Sequence, residues 1–191
     1  MKKETVYKLF SNIPTLKTER LSLRAMHPID AEDMYDYACR REVTEFLLWE
    51  PHPSVAYTKQ YLGYIQSRYA LGDFYDWAVI ERESRRMIGT CGFTRIDTVN
   101  NMAEIGYVLN PDFWGRGYAT EMVQKIIEFA FSELGVHRIE ARFMEGNRAS
   151  LRVMEKLGMT FEGYHKDAIF AKGKYRTVGY CATVREENKQ K

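Results

Sequence analysis

A chain of 191 residues, 45% hydrophobic and 28% charged, has the length and composition of one globular domain with a real core. Its formal net charge of +2, with basic residues spread along the chain, excludes the strong bias of a dedicated nucleic-acid or membrane-surface binder. No apolar run is long enough to span a bilayer, and the start MKKETVYKLF lacks the apolar core and cleavage site of a signal peptide. Cys39, Cys91 and Cys181 lie far apart without metal-ligand spacing, and read as reduced, buried residues of a cytoplasmic protein.

The first predicted element is a strand over Thr18 to Met26, with Leu21, Leu23 and Ala25 on one side and Ser22 and Arg24 on the other. His27-Pro28-Ile29-Asp30 opens a helix, with Asp30 as the expected N-cap. Pro51-His52-Pro53 breaks the chain, Ser54 caps a second helix with the stripe Tyr61, Leu62, Ile65 and Tyr69, and Gly72 ends it. Three strands follow, at Tyr75 to Glu81, Met87 to Ile96 and Met102 to Leu109. Their short connections, the first through a solvated Arg85-Arg86 turn, predict an antiparallel meander.

A long amphipathic helix comes next, with Ala119, Met122, Val123, Ile126, Ile127, Ala130 and Phe131 in one stripe and a stop at Gly135. A strand at His137 to Met144 completes a strand–helix–strand unit, which predicts a parallel pair with a right-handed crossover. Asn147 caps a short helix that ends at Gly158, and two last strands lie near Thr160 to Tyr164 and Tyr175 to Thr183. The fold class is therefore α/β in the α+β sense: a mixed sheet in a single domain over 1–191, with 184–191 expected to fray.

The loop Trp114-Gly115-Arg116-Gly117-Tyr118 sits where the long helix begins. Unpaired N–H groups and the positive end of the helix dipole attract phosphate there, glycines admit close approach, and Arg116 adds a fixed charge. A nucleotide P-loop is excluded, because no lysine followed by Ser or Thr comes after the glycines. A dinucleotide fingerprint fits poorly, with Thr120 at the last glycine position and Asn110-Pro111-Asp112 intervening after the strand. A tight turn without a ligand remains the bland alternative.

The stretch Glu104-Ile105-Gly106-Tyr107 with Trp114-Gly115-Arg116-Gly117-Tyr118-Ala119-Thr120 resembles the acetyl-CoA-binding motif of the GNAT superfamily of N-acetyltransferases. Asn147-Arg148-Ala149-Ser150 with Glu155-Lys156-Leu157-Gly158-Met159 is similar to that family's following helix. The opening Leu16-Lys17-Thr18-Glu19-Arg20-Leu21 resembles the Rim-type ribosomal-protein N-acetyltransferase branch. The superfamily motif often begins with Gln or Arg; Trp114 stands there instead, as is common in the Rim-type branch.

The resemblance implies a mostly antiparallel sheet with one parallel pair splayed around the cofactor, flanked by about four helices. It implies acetyl-CoA as cosubstrate and no metal. The amides of Arg116 to Thr120 are expected to hold the pyrophosphate, and Tyr107, Val108 and Leu109 to pair with the pantetheine arm. Trp114, Gly115 and Asn147 complete the expected cofactor set.

Acetyl transfer from a thioester to an amine needs a neutral amine, a stabilised oxyanion and a departing thiolate. Glu104 is the candidate base; its competing reading is a strand carboxylate paired with a neighbouring cation. Glu140 and Glu145 are weaker candidates, and His137 and His165 read as surface or turn residues. Ser150 is the candidate proton donor to the sulfur, carried over from the Rim-type pattern; it competes with a plain capping or surface role. Tyr107 is a possible helper, and a backbone N–H near Val108 the expected oxyanion donor.

The segment Phe46 to Pro53 either frames the acceptor, with Glu50 attracting a cation, or plugs the core. Tyr118, Tyr164 and Tyr175 are further candidate wall residues. The expected reaction is direct transfer in a ternary complex to the N-terminal α-amine of a protein, with ribosomal proteins the class that the resemblance implies. A polyamine or aminoglycoside acceptor, or a non-catalytic acyl-CoA sensor, are the alternatives. No nucleic-acid or membrane partner is expected, and the chain is read as a monomer or homodimer.

Overall fold

The computed structural model describes residues 1–185. Helix α1 (Lys3–Phe10) precedes a small hairpin of β1 (Leu16–Lys17) and β2 (Leu21–Arg24). Helices α2 (Ala31–Ala38), α3 (Arg41–Thr44) and α4 (Val55–Ala70) follow. Then come β3 (Tyr75–Glu81), β4 (Met87–Asp97) and β5 (Met102–Leu109), and the crossover helix α5 (Tyr118–Phe129). The chain ends in β6 (Arg138–Met144), α6 (Arg148–Lys156), β7 (Thr160–Ala171) and β8 (Lys174–Val184).

The strands form one sheet in the order β1-β2-β3-β4-β5-β6-β8-β7. Every neighbouring pair is antiparallel except β5 with β6, as the long crossover through α5 requires. The sheet separates two cores. One holds Phe10, Trp77, Phe93, Met122, Ile126 and Phe129, and lies under α1, α5 and α6. The other holds Met34, Tyr37, Leu62, Ile65, Ala78 and Ile80, and lies under α2 and α4.

Several boundaries depart from the sequence expectations. The first strand is split by a turn in which the Leu21 N–H donates to Thr18 Oγ1 at 2.9 Å. Asp30 does not cap α2 with its side chain. A 3-10 turn over Pro28–Asp30 comes first, capped by His27, while the Asp30 carboxylate pairs with Arg24 at 2.6 Å. The start of the chain is helical because Val6 and Phe10, one turn apart, both reach the core. With α1 and the single-turn α3 there are six α-helices among the described residues, where about four were expected. The stripe of α5 runs on past Phe129 through a π turn over Ala130–Leu134, and Gly135 ends it at φ 65°. Val184 still pairs with Arg138, so the ladder reaches one residue into the expected frayed tail. The Arg185 N–H donates to the His137 carbonyl at 2.8 Å; 186–191 lie outside the described residues. Among the described residues no helix is long and apolar enough to cross a membrane.

Candidate active site

The site arises where two strands part. β5 and β6 pair from Met102↔Arg138 to Ile105↔Ala141 and no further. Beyond that point β6 continues against β8 alone, from Arg142↔Tyr180 to Met144↔Val178. Gly106 is therefore the first residue of β5 at the edge of an open wedge. Backbone groups alternate sides along a strand. The Asn110 N–H donates to Ile88 on the β4 side at 2.7 Å, and the Asn101 carbonyl accepts from His137 on the β6 side. The N–H of Val108 accordingly points to β4, and those of Tyr107 and Leu109 point into the wedge. The free donors near Val108 are thus its two neighbours.

A cavity of about 610 Å³ occupies this wedge and the sheet face beside it. Its wall includes Glu104, Tyr107, Val108, Asn147 and Ser150 from the expected set. Leu109 and the run Trp114 to Thr120 lie in the adjoining strand end, loop and helix start. This loop is anchored on both sides. Buried Asn110 donates to Asp36 at 2.9 Å and accepts the Asp112 N–H at 3.0 Å. The Trp114 indole N–H donates to the Leu109 carbonyl at 2.8 Å. Gly115 (φ 74°) and Gly117 (φ 82°) adopt left-handed conformations that β-carbon-bearing residues resist. Gly117 is the N-cap of α5 and supplies no side-chain acceptor, so the first N–H groups of the helix are left for a ligand.

Arg116 is exposed, its guanidinium 5.4 Å from the Phe113 ring centroid. Behind the loop, Arg20 donates to the Arg116 carbonyl at 3.0 Å and lies 4.2 Å over the Tyr118 ring. Glu121 in turn accepts from the Arg20 N–H at 3.0 Å, from its Nε at 2.7 Å and from the Thr18 hydroxyl. Burial alone would raise the Glu121 carboxyl, but these donors together hold it below its ordinary value. The residues of this clasp were not recognised as functional from sequence; Thr18 and Arg20 were visible only as part of the Rim-type opening.

Glu104 is 5% exposed, and its Oε1 accepts from Arg142 at 2.7 Å and from the Thr94 hydroxyl. Its charge is thus compensated across the β5–β6 pair, as in the competing reading of this residue. Ser150, at the start of α6, sits opposite Tyr107: the two hydroxyl oxygens are 2.8 Å apart. Asn147 Oδ1 accepts the Ser150 N–H at 3.1 Å, which caps α6 and fixes Ser150 at the cavity wall. Burial pushes the Tyr107 phenol well up, against the Ser150 hydrogen bond, so it stays protonated at neutral pH.

The opposite wall belongs to α2, α4 and the segment Phe46 to Pro53, all of whose residues border the cavity. Glu50 lies 3.9 Å from Lys172. His52 Nδ1 lies 2.8 Å from the Thr58 hydroxyl, and burial lowers the imidazole below its ordinary value, which favours the neutral ring. Tyr118, Tyr164 and Tyr175 do not line this cavity. Tyr118 turns inward and donates to Glu81 at 3.1 Å, Tyr164 packs 5.0 Å from Phe161, and Tyr175 packs 5.1 Å from Phe170. Sequence reasoning missed Asp76, Thr94 and Arg142 on the cavity wall. Asp76 did carry a signal: it alternates with Ala78 and Ile80, so a carboxylate opens an otherwise apolar face of β3. Cys91 and Cys181 are buried, Cys39 is half-buried, and all three are free. Among the described residues no group of His, Cys, Asp and Glu is arranged to hold a metal.

Residues 20–160 match the family model described as acetyltransferase (GNAT) domain. The chain is 36% identical over 173 residues to the uncharacterised N-acetyltransferase p20 of Bacillus licheniformis, spanning 91% of this chain and 97% of that one. It is 27% identical over 175 residues to the ribosomal protein uS5 alanine N-acetyltransferase of Escherichia coli, spanning 87% and 89%. A crystal structure of a GNAT-family acetyltransferase from Bacillus anthracis superposes with a TM-score of 0.81 at 28% identity, covering 91% of this chain and all 100% of that one.

Proposed function

The chain belongs to the GNAT acetyltransferases and is an N-acetyltransferase, and from that premise we propose that it acetylates the N-terminal α-amine of a protein, with ribosomal proteins as the favoured class. The observation that carries the reading is the wedge: free strand donors, a hydroxyl pair and a glycine loop at a helix start meet around one cavity. The relative that acts on ribosomal protein uS5 supports the acceptor class. So does acid–base chemistry: an α-amine, with a pKa of about 8, is partly neutral at pH 7, whereas a lysine amine at about 10.4 is not.

Each part of the site has a role in direct transfer within a ternary complex. The α5 N-terminus, from Arg116 to Thr120, binds the pyrophosphate of acetyl-CoA, with Gly115, Gly117 and Trp114 shaping the loop. The wedge-facing backbone from Tyr107 to Leu109 bonds the pantetheine amides, and Asn147 borders the same arm. A wedge-facing N–H beside Val108 stabilises the oxyanion. Ser150, backed by Tyr107, gives a proton to the departing sulfur. Glu104, the expected base, is engaged through Oε1 by Arg142 and the Thr94 hydroxyl and holds Arg142 in place at the cavity wall.

The test is mass spectrometry after incubation with acetyl-CoA and a pooled acceptor panel. The panel holds ribosomal-protein N-terminal peptides with free and blocked α-amines, polyamines and aminoglycosides. An acetyl adduct confined to free α-amines is expected. A product on a small amine instead would favour the second reading, which the aromatic wall of Trp49, Tyr57 and Tyr61 supports. Binding of acetyl-CoA without product on any amine would point to a sensor.

A further inference from the structure

A carboxylate stands on the acceptor side of the cavity, and among the described residues no cation pairs with it. Asp76 begins a rung that runs straight across three strands, Asp76↔Gly92↔Gly106. Residues directly opposite one another in an antiparallel ladder share a face, so both glycines leave bare backbone beside the carboxylate. A Cβ on Gly92 would lie 2.8 Å from Asp76 Oδ1, so the glycine is what leaves this carboxylate room beside β4. Gly106 lies one strand further, about 4.8 Å away. It is also the first residue of β5 past the last β5–β6 pair. The Asp76 carboxylate thus borders the same cavity as Tyr107 and Ser150, two strands from the mouth of the wedge with only bare backbone between.

No described residue neutralises this group. Its partners are the Trp77 N–H at 3.1 Å and the Thr90 side chain, and among the described residues it makes no ion pair. The titratable groups that face it are the phenols of Tyr37 from α2 and of Tyr61 and Tyr69 from α4; the Cys91 thiol of β4 couples to it from the opposite face of the sheet. All of these are neutral at pH 7, as is His52 on the same cavity wall. Glu104 and Arg142, across the cavity, compensate each other. The Tyr37 hydroxyl, also on this wall, is buried without a hydrogen-bond partner.

We propose that Asp76 receives the ammonium group of the acceptor in this cavity and takes its proton, so that the amine attacks as the free base. This rests on the acetyl-transfer reading above. One proton passes from R–NH₃⁺ to the Asp76 carboxylate. The nitrogen lone pair forms the C–N bond to the acetyl carbon, and the C–S bond breaks with its electron pair leaving on sulfur. Ser150 gives the sulfur a proton, and the second proton lost by the nitrogen replaces it. The proton on Asp76 departs to solvent, so the products are an amide, a free thiol and one H⁺. Burial pushes the Asp76 carboxyl up to about 7, close to the working pH of a base at neutrality.

The experiment measures kcat/KM between pH 6 and 9.5 for wild type, Asp76→Asn, Asp76→Glu and Glu104→Gln, with a free-α-amine peptide, alongside acetyl-CoA binding by calorimetry. Asp76→Asn should lower kcat/KM at pH 7 by about 100-fold, the scale of a lost general base, and leave acetyl-CoA affinity within twofold. Its deficit should shrink toward the pKa of the acceptor, and the wild-type limb near pH 7 should vanish. Asp76→Glu should recover part of the loss, and Glu104→Gln should keep the limb. An Asp76→Asn enzyme within twofold of wild type at pH 7, with the limb intact, overturns the proposal while leaving acetyl transfer standing. Wild-type protein that binds acetyl-CoA but acetylates no amine overturns the acetyl-transfer reading itself, and this one with it.

Discussion

Asp76 and Trp77 are neighbours in β3 and face opposite sides of the sheet, and the two sides are built for opposite ends. On the Trp77 side the rings of Phe10, Phe93 and Phe129 meet it edge-on at 5.5, 6.1 and 5.4 Å, and its indole N–H donates to the Pro14 carbonyl at 2.8 Å. That side is filled. On the Asp76 side the same strands contribute Gly92 and Gly106, and the space goes to the cavity. The period of two along a strand lets one segment anchor the fold and shape a site at once, with the cost of a half-buried charge confined to one face.

The sharpest way to break this contrast is Trp77→Ala. Truncating a fully buried indole should cost about 3–5 kcal/mol, read as a lowered urea midpoint. A loss under about 1 kcal/mol would show that the ring cluster is not what anchors this face.

Asp76→Asn should act in the other direction. Its carboxyl is raised above the ordinary value of 3.8 to about 7 in the folded protein. Between those pH values the folded state holds a proton that the unfolded chain has released, so stability is present in full below pH 4 and is lost as pH rises through 7. Asparagine has no charge to desolvate. At pH 8 the variant should therefore melt about 2–6 °C above wild type, an effect of roughly 1–2 kcal/mol after allowance for water in the cavity. At pH 4 the two should converge, and equal melting at both pH values would refute the strained-carboxylate picture.

Gly106→Ala tests the bare rung without replacing a charged residue. The new Cβ would lie 2.6 Å from the Thr94 methyl, a side chain that can give way. Turnover should fall about tenfold, or ~1.4 kcal/mol, while the melting temperature moves by only a few degrees. Unchanged turnover would mean that nothing passes over Gly106 during transfer. The smallest effect is expected from Arg116→Ala. This exposed guanidinium should contribute about three- to fivefold to acetyl-CoA affinity, less at high salt, as calorimetry at two ionic strengths would show.

The face comparison also explains what the sequence disclosed. β3 and β5 have the expected bounds and β4 runs one residue longer, because alternation and turn residues are local signals. The glycine loop and the Asn147 cap were legible for the same reason. β7 was expected near Thr160 to Tyr164 but runs to Ala171. It is an almost wholly exposed edge strand with no apolar alternation to read, held by its pairing with β8. α1 escaped notice because two turns with two buried residues give too short a period. Asp76 escaped because its meaning depends on Gly92 and Gly106, which only the ladder places beside it. Glu104 was placed correctly on its strand, but its partner Arg142 is 38 residues away.

The clasp of Glu121 on Thr18 and Arg20 has a consequence for recognition. It fastens the glycine loop from behind, and Tyr118 is pinned to Glu81 on the same side. A loop already immobilised in the free protein surrenders little conformational entropy when a ligand arrives, so its ordering is charged to folding and not to association. The other wall, the irregular Phe46 to Pro53 segment, has no such clasp among the described residues, and Leu48 there is 62% exposed. If the proposed roles hold, such a division joins a cosubstrate seat fixed in advance to an irregular acceptor rim, and acceptor preference can then change by substitution in one short segment while the cosubstrate stays the same.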